Sequence, residues 1–365
     1  MGGSELPLVQ EAFESNYVAP AGPMLTRFEE GLAALTGIEH VAALSSGTAA
    51  LHLALRLSGI ARDDEVWGST MTFIGGVAPI RYLDAIPVFL DIDAEHFLLD
   101  LDLLENELAR VRALNRKPKV VISTDLYGHV IDGERMRALA DEYGFVWISD
   151  AAEAIGAFRH GRHAGYGADF AIFSFNGNKL ITTSGGGALA SDKREWIDKA
   201  RFLSTQARDP ATHYEHSTIG YNYRLSNISA AIGVGQLEVV EQRVDQRRRI
   251  HTLYRDRLGV LDGISFSPEP GDMRANRWLT TVKIDPKRAG FDREVVRLAL
   301  EEVNVESRPL WKPMHLQPVF SEAPLVGGRV AEDAFATGLC LPSGSAMTEN
   351  DVDRVCVIIE RLAER

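Results

Sequence analysis

A single lysine, Lys179, stands where the apolar run Phe170–Phe175 gives way to the glycine-rich polar stretch Thr182-Thr183-Ser184-Gly185-Gly186-Gly187. A lysine at the end of a buried strand is costly unless it is paired or reactive, although it could also cap that strand in solvent. Two other stretches bear on the choice. Leu44-Ser45-Ser46-Gly47-Thr48-Ala49-Ala50-Leu51 follows one strand-like run and opens a helix-like one. Its small residues let backbone N–H groups approach a phosphate at the positive helix end, with a hydroxyl from Ser46 or Thr48; a plain capped turn has the same composition. Phe145-Val146-Trp147-Ile148-Ser149-Asp150 is an apolar run that finishes on a carboxylate, with Glu153 three residues further on. The pair could form a capping box, or both could face a ligand.

A strand-end aspartate, a Gly-Thr phosphate turn and a lysine among small residues are together the parts of a pyridoxal phosphate site. The lysine amine forms the Schiff base and carries protons. The Asp150 charge keeps the pyridine nitrogen protonated, so that the ring can accept electrons from a carbanion. Ser174, five residues before Lys179, is placed to bond the phosphate. The Gly-x-Gly-x-x-Gly of dinucleotide folds does not precede the helix, and Lys179 lies in no Gly-x-x-x-x-Gly-Lys loop, which disfavours nucleotide hydrolysis.

These residues need a frame. Strand-like runs recur at His40–Leu44, Glu65–Ser69, Ile86–Asp91, Lys119–Thr124, Phe145–Asp150, Ala168–Phe175 and Gly187–Ala190, with amphipathic segments such as Ala49–Leu57, Leu101–Ala113 and Gly133–Tyr143 between them. The alternation predicts an α/β core around a mostly parallel sheet, with ligands bound outside the carboxyl ends of the strands. Leu225–Leu258 reads as helical throughout, long enough to bridge two domains. Beyond it, strand-like Trp278–Ile284, a helix at Arg293–Val303, a Pro-rich loop at Arg308–Pro318 and a helix from Thr348 predict a smaller α+β domain. The division expected is 1–240 and 241–365.

Composition narrows the function. The 365 residues are 45% hydrophobic, 25% charged and 8% aromatic, with 39 basic against 51 acidic side chains and a net charge of −12. Such a surface repels nucleic acid and anionic lipid. The Arg247-Arg248-Arg249 run lies among Glu238, Glu241, Asp245 and Asp256, and reads as a solvated helix face. Cys340 and Cys356 form no metal-like spacing, which points to a reducing cytoplasm. No apolar run reaches the roughly 18–20 residues of a membrane span, and with no basic region followed by an apolar stretch at the start no signal peptide is expected. Met1-Gly2 has Leu6 where a myristoylation signal needs Ser or Thr. His160 and His163 read as a polar hairpin turn rather than a metal pair, and no metal is expected.

The motifs SSGTAALHLAL, TFIGGVAPIRYLDAIPVFLDID, ISDAAEAIGA, FSFNGNKLITTSGGG, GYNYRLSNISAAIGVGQLE and CLPSGSAMTENDVDRV, in this order and over nearly the whole chain, resemble the DegT/StrS-type sugar aminotransferases. The resemblance implies the aspartate aminotransferase fold (fold type I), with a large mixed, mostly parallel sheet domain and a smaller C-terminal α+β domain. It implies that Lys179 is the Schiff-base lysine, Asp150 the pyridinium partner and Glu153 the group bonding the ring hydroxyl. Gly47, Thr48 and Ser174 correspond to the phosphate cradle, to which the turn itself can add the Ser46 hydroxyl, and Phe73 corresponds to the aromatic that stacks on the ring. Asn222 matches an asparagine reaching the phosphate from the other subunit, which implies a homodimer with shared sites. Asn16, Tyr17 and Ala19, with Lys312, Met314 and His315, correspond to the sugar-nucleotide cleft.

NKLITTSGGG and RPLWKPMHLQP are similar to the branch that aminates carbon 4 of nucleotide-linked 4-keto-6-deoxy sugars, as in the UDP-N-acetylbacillosamine pathway. The implied acceptor is a UDP-linked 4-keto-6-deoxy-N-acetylhexosamine and the donor L-glutamate. GDP-perosamine synthases are neighbours, and many of them carry Gly-Glu-Gly-Gly where this chain has Ser184-Gly185-Gly186-Gly187. Relatives with histidine at the lysine position are dehydratases, and Lys179 argues against that chemistry. Readings of a different class are a regulatory protein binding pyridoxal phosphate without turnover, and a cofactor-free nucleotide-sugar-binding protein.

Overall fold

The structure is a computed structural model and describes residues 1–364. Its centre is an eight-stranded sheet in the spatial order His40–Leu44, Gly187–Ser191, Phe170–Ser174, Val146–Asp150, Val120–Thr124, Glu65–Ser69, Ile86–Leu90 and Leu325–Val326. Gly187–Ser191 runs antiparallel to both neighbours, and the other pairings are parallel. All the strands but that one therefore point their carboxyl ends to the same edge. Val120–Thr124 and Gly187–Ser191 are buried throughout and five others at all but one end residue, as a sheet covered on both faces requires. One face packs against the helix Gly47–Leu57, the other against Leu101–Arg112 and Gly133–Tyr143.

The predicted strands and helices of this core occur within one or two residues of their expected ends. Two regions differ from the sequence reading. Leu225–Leu258 is two helices, Asn227–Leu237 and Val240–Leu258, which break at Glu238-Val239. The first packs against the helices Glu5–Glu14 and Pro23–Thr36, and small residues permit that approach: a Cβ on Gly233 would lie 2.6 Å from the Phe28 ring. The second carries the basic run, of which only Arg249 is a solvated side chain. Arg247 is buried and donates to the Trp278 carbonyl at 2.6 Å, and Arg248 donates to Glu269 and to the Ala275 carbonyl. A guanidinium reaching carbonyls at the end of a long stem can be buried in a way that composition does not reveal.

The edge strand Leu325–Val326 also had no sequence signal, because two residues carry no alternation. It is fixed by Asp91, whose carboxylate accepts from the N–H groups of Gly328, Val330 and Ala331 and so caps the helix Val330–Thr337. The C-terminal part builds a four-stranded antiparallel sheet, Ile264–Phe266, Thr280–Ile284, Gly338–Leu341 and Arg308–Pro309. It packs on Val240–Leu258, Arg293–Glu301 and Glu349–Ala363, the last opened by a Thr348–Asp351 capping box. No helix among the described residues is long and apolar enough to cross a membrane.

Candidate active site

A cavity of about 330 Å³ opens at the carboxyl edge of the sheet. Its floor comes from the strand ends, because parallel strands stop there and hand their last side chains to loops. Ser46 is the N-cap of Gly47–Leu57: its Oγ accepts from the Ala49 N–H at 3.0 Å, leaving its own proton to donate. Gly47, Thr48 and Ser174 line the same end. Glycine is required around this turn. A Cβ on Gly187 would stand 2.3 Å from the Gly47 nitrogen and 2.3 Å from the Ser46 carbonyl carbon. Neither backbone atom can yield, because the Leu44–Gly187 pairing clamps both strands. Gly187→Ala should therefore cost about 3 kcal/mol or more of stability, readable as a lowered urea midpoint; an unchanged midpoint would show that the strands can separate there.

Asp150 ends its strand at 7% exposure. No helix follows it, so it is not an N-cap; its Oδ1 accepts only from the Ala152 N–H at 3.2 Å. A Cβ on Gly76 would lie 2.6 Å from Oδ2. Burial pushes the Asp150 carboxyl up to about 6, Lys179 acting against burial and Glu153 adding to it. A carboxylate so placed gains most from a cationic ring nitrogen.

Glu153 does not close a capping box either. Its Oε2 accepts from the Tyr127 N–H at 2.8 Å, and its Oε1 lies 3.4 Å from Lys179 Nζ. Lys179 is 12% exposed, and its Nζ sits 4.2 Å from the centre of the Trp278 ring. It is the only lysine or arginine lining the cavity among the described residues. An amine, a buried carboxylate and a helix-opening turn that combines Gly47 with the hydroxyls of Ser46 and Thr48 fit the imine-forming carbon, ring nitrogen and phosphate of pyridoxal phosphate.

Lys179, Asp150, Glu153, Ser46, Gly47, Thr48, Ser174 and Phe73 thus share one cavity, Phe73 lying at its rim and 58% exposed. Asn222 is exposed and bridges to Thr205, outside this cavity. Asn16, Tyr17 and Ala19 lie on the exposed link between the first two helices, and the carbonyls of Tyr17 and Ala19 accept from Asn227. Lys312 is exposed, and Met314 is buried in the core beside Phe320. His315 is half-buried, 2.6 Å from the Thr70 hydroxyl and 3.5 Å from Glu332. None of these six lines the cavity.

Sequence reading missed Trp278 and Trp311, which form its roof; each comes from about a hundred or more residues past Lys179, and no local pattern announces such a contact. The histidines of Arg159-His160-Gly161-Arg162-His163 lie elsewhere. His160 and Gly161 form the tip of the hairpin Phe158–Arg159/Arg162–His163, and His160 pairs with Asp272. His163 is buried, accepts from the Gly156 N–H and meets the Ala164 carbonyl, and burial holds it down at about 4. No cluster able to hold a metal occurs among the described residues.

Comparison with known proteins extends these observations to the whole chain. The chain is 47% identical over 366 residues to EpsN of Bacillus subtilis (strain 168), a protein provisionally named as a pyridoxal phosphate-dependent aminotransferase; the match covers 99% of this chain and 94% of that one. It is 33% identical to the GDP-perosamine synthase of Caulobacter vibrioides, over 99% of this chain and 96% of the relative. Among solved structures, a DegT DnrJ EryC1 StrS aminotransferase from Brucella abortus superimposes with a TM-score of 0.91 at 26% identity, covering 99% of this chain and 96% of that one. The fold is accordingly that of these aminotransferases, and the cofactor of the family is pyridoxal phosphate. With the family profile matching residues 1–360, the chain belongs to the DegT/DnrJ/EryC1/StrS aminotransferase family.

Proposed function

We propose that this enzyme moves the amino group of L-glutamate to carbon 4 of a UDP-linked 4-keto-6-deoxy-N-acetylhexosamine, giving a UDP-4-amino-4,6-dideoxy sugar. The observation that carries the reading is Lys179, nearly buried between Glu153 and Trp278 in a cavity that has no other cation among the described residues. Pyridoxal phosphate supplies an imine-forming carbonyl and a ring that takes up the electrons of a carbanion. The chain supplies the rest. Ser46, Gly47, Thr48 and Ser174 hold the phosphate, Phe73 covers the ring, and Glu153 orients it through the ring hydroxyl. Asp150 keeps the ring nitrogen protonated. Lys179 Nζ takes the proton from the α-carbon of L-glutamate, and in the second half-reaction delivers one to carbon 4 of the sugar. Trp278 and Trp311 restrict water above the amine.

Support for the UDP acceptor is the absence of a side chain at Gly185, on the cavity wall. Many GDP-perosamine synthases place a glutamate there. A GDP-linked 4-keto-6-deoxy sugar is the second reading, favoured by the 33% identity to a GDP-perosamine synthase. Exposed Asn222 supports a homodimer in which it reaches the partner's phosphate cradle, with Asn16, Tyr17, Ala19, Lys312 and His315 bordering the nucleotide cleft so formed and Met314 packed in the core beneath it.

Absorbance tests the proposal directly. L-Glutamate should discharge the visible absorbance of the loaded protein with release of one 2-oxoglutarate, and the UDP sugar should restore it. Restoration by the GDP sugar alone would transfer the assignment to the second reading. A visible band unmoved by L-glutamate would refute transamination from that donor.

A further inference from the structure

Tyr127 is 1% exposed and lies outside the cavity, yet three of the side chains around the cavity depend on its short loop. Its φ is +55°, a region a bulky residue occupies only when the surroundings over-determine it. Three contacts do so. The Tyr127 N–H donates to Glu153 Oε2 at 2.8 Å. The Tyr127 hydroxyl accepts from the Trp311 N–H at 2.8 Å. Gly128 lets Asn276 press close, since a Cβ there would lie 1.8 Å from Asn276 Oδ1. That same Oδ1 accepts from the Trp278 N–H at 2.8 Å, while Asn276 Nδ2 donates to the carbonyls of Glu153 and Ile155. The Glu153 carboxylate, Trp278 and Trp311 are thus all anchored on residues 127–128.

The two ties made by Tyr127 itself are chemically separable. The bond to Glu153 uses the backbone and survives any side-chain replacement short of proline. The bond to Trp311 uses only the phenol oxygen, which is buried with it. Removing the oxygen leaves the part-buried Trp311 N–H without its partner, which should release the segment toward water rather than leave it in place.

We infer that Tyr127 is a positioning residue that holds the start of the Trp311-Lys312-Pro313 segment over the cavity, and so sets binding of the acceptor rather than proton transfer. The second half of this inference rests on the reading above, in which that segment borders the sugar nucleotide. Lys179 and Glu153 keep their own contact when the phenol oxygen is removed, which is why the two half-reactions should respond differently.

Tyr127→Phe tests both halves. In the cofactor-free protein, hydrogen exchange at the Trp311 amide should quicken by about five- to tenfold, the loss of one hydrogen bond. In the loaded protein, KM for the keto sugar should rise by a similar factor, while the half-reaction with L-glutamate stays within about twofold. In a Trp311→Phe background the backbone N–H remains, so Tyr127→Phe should quicken exchange by the same factor; a much smaller factor would assign the effect to the ring contact at 5.7 Å and overturn the tether. Unchanged exchange at residue 311 also overturns it. Faster exchange with an unchanged sugar KM overturns the positioning role. Should the wild type aminate no nucleotide-linked keto sugar, the substrate reading fails on its own, and the exchange measurement still decides whether Tyr127 holds the segment.

Discussion

Lys179→Ala should fold, bind pyridoxal phosphate and lose multiple turnover by at least about 10⁴-fold, the upper end of what removing one general acid–base group costs, because the same amine also makes the covalent link. The cavity explains why nothing substitutes for it. No other lysine or arginine lines it among the described residues, and Asp150 and Glu153 act as carboxylates, not as amines. A small primary amine added to the buffer should recover part of the proton transfer, since the truncation leaves room where the butylamine arm lay over Trp278. Stability gives a second readout. The Asp150 carboxyl is already at about 6, although Lys179 pulls it down. Without that cation it should rise further above its unfolded value of 3.8. Between the unfolded and folded values the native state binds the extra proton, so stability falls as pH rises through that window. The window widens in the variant, and its thermal deficit should therefore grow from pH 6 toward pH 8. Near-normal turnover in Lys179→Ala would end the assignment of this lysine.

What could be read before the structure has a physical pattern. Strands such as Glu65–Ser69 and Val120–Thr124 are short apolar runs bounded by polar turns, and their ends were legible to a residue or so. The site residues contributed by the sheet were legible for the same reason: Ser46, Asp150 and Ser174 are each the last residue of a strand or the one or two after it, where a parallel sheet presents its ligands. Long-range contacts were not. Nothing near Trp278 or Trp311 in the chain marks them as a roof, because what places them is an asparagine against Gly128 and a phenol at positive φ. Arg247 was misread for a related reason. Charge in a sequence suggests solvent, whereas the Trp278 carbonyl that receives the guanidinium lies 31 residues on.

Asp150→Asn should bind the cofactor and lose about 10²–10³-fold in kcat, the cost of removing one preorganised charge from the reacting centre. Asparagine keeps the shape and the acceptor for the Ala152 N–H, so the loss reports charge rather than packing. The pH dependence of cofactor binding makes the assignment sharper. In the cofactor-free protein the Asp150 carboxyl is at about 6, because burial disfavours its anion. A cationic ring nitrogen facing it favours the anion and draws that value down. Binding below pH 6 must then expel the proton from Asp150. Linkage makes the wild-type Kd rise by up to about tenfold per pH unit as pH falls below that value. Asparagine has no such proton to lose. Protonation of the cofactor's own phosphate weakens both proteins alike and cancels in the ratio of their Kd values. That ratio, the Asp150→Asn variant over wild type, should be large and constant above pH 7 and shrink toward pH 5. A ratio that stays flat across the range would mean that the group facing the ring nitrogen is not this carboxylate.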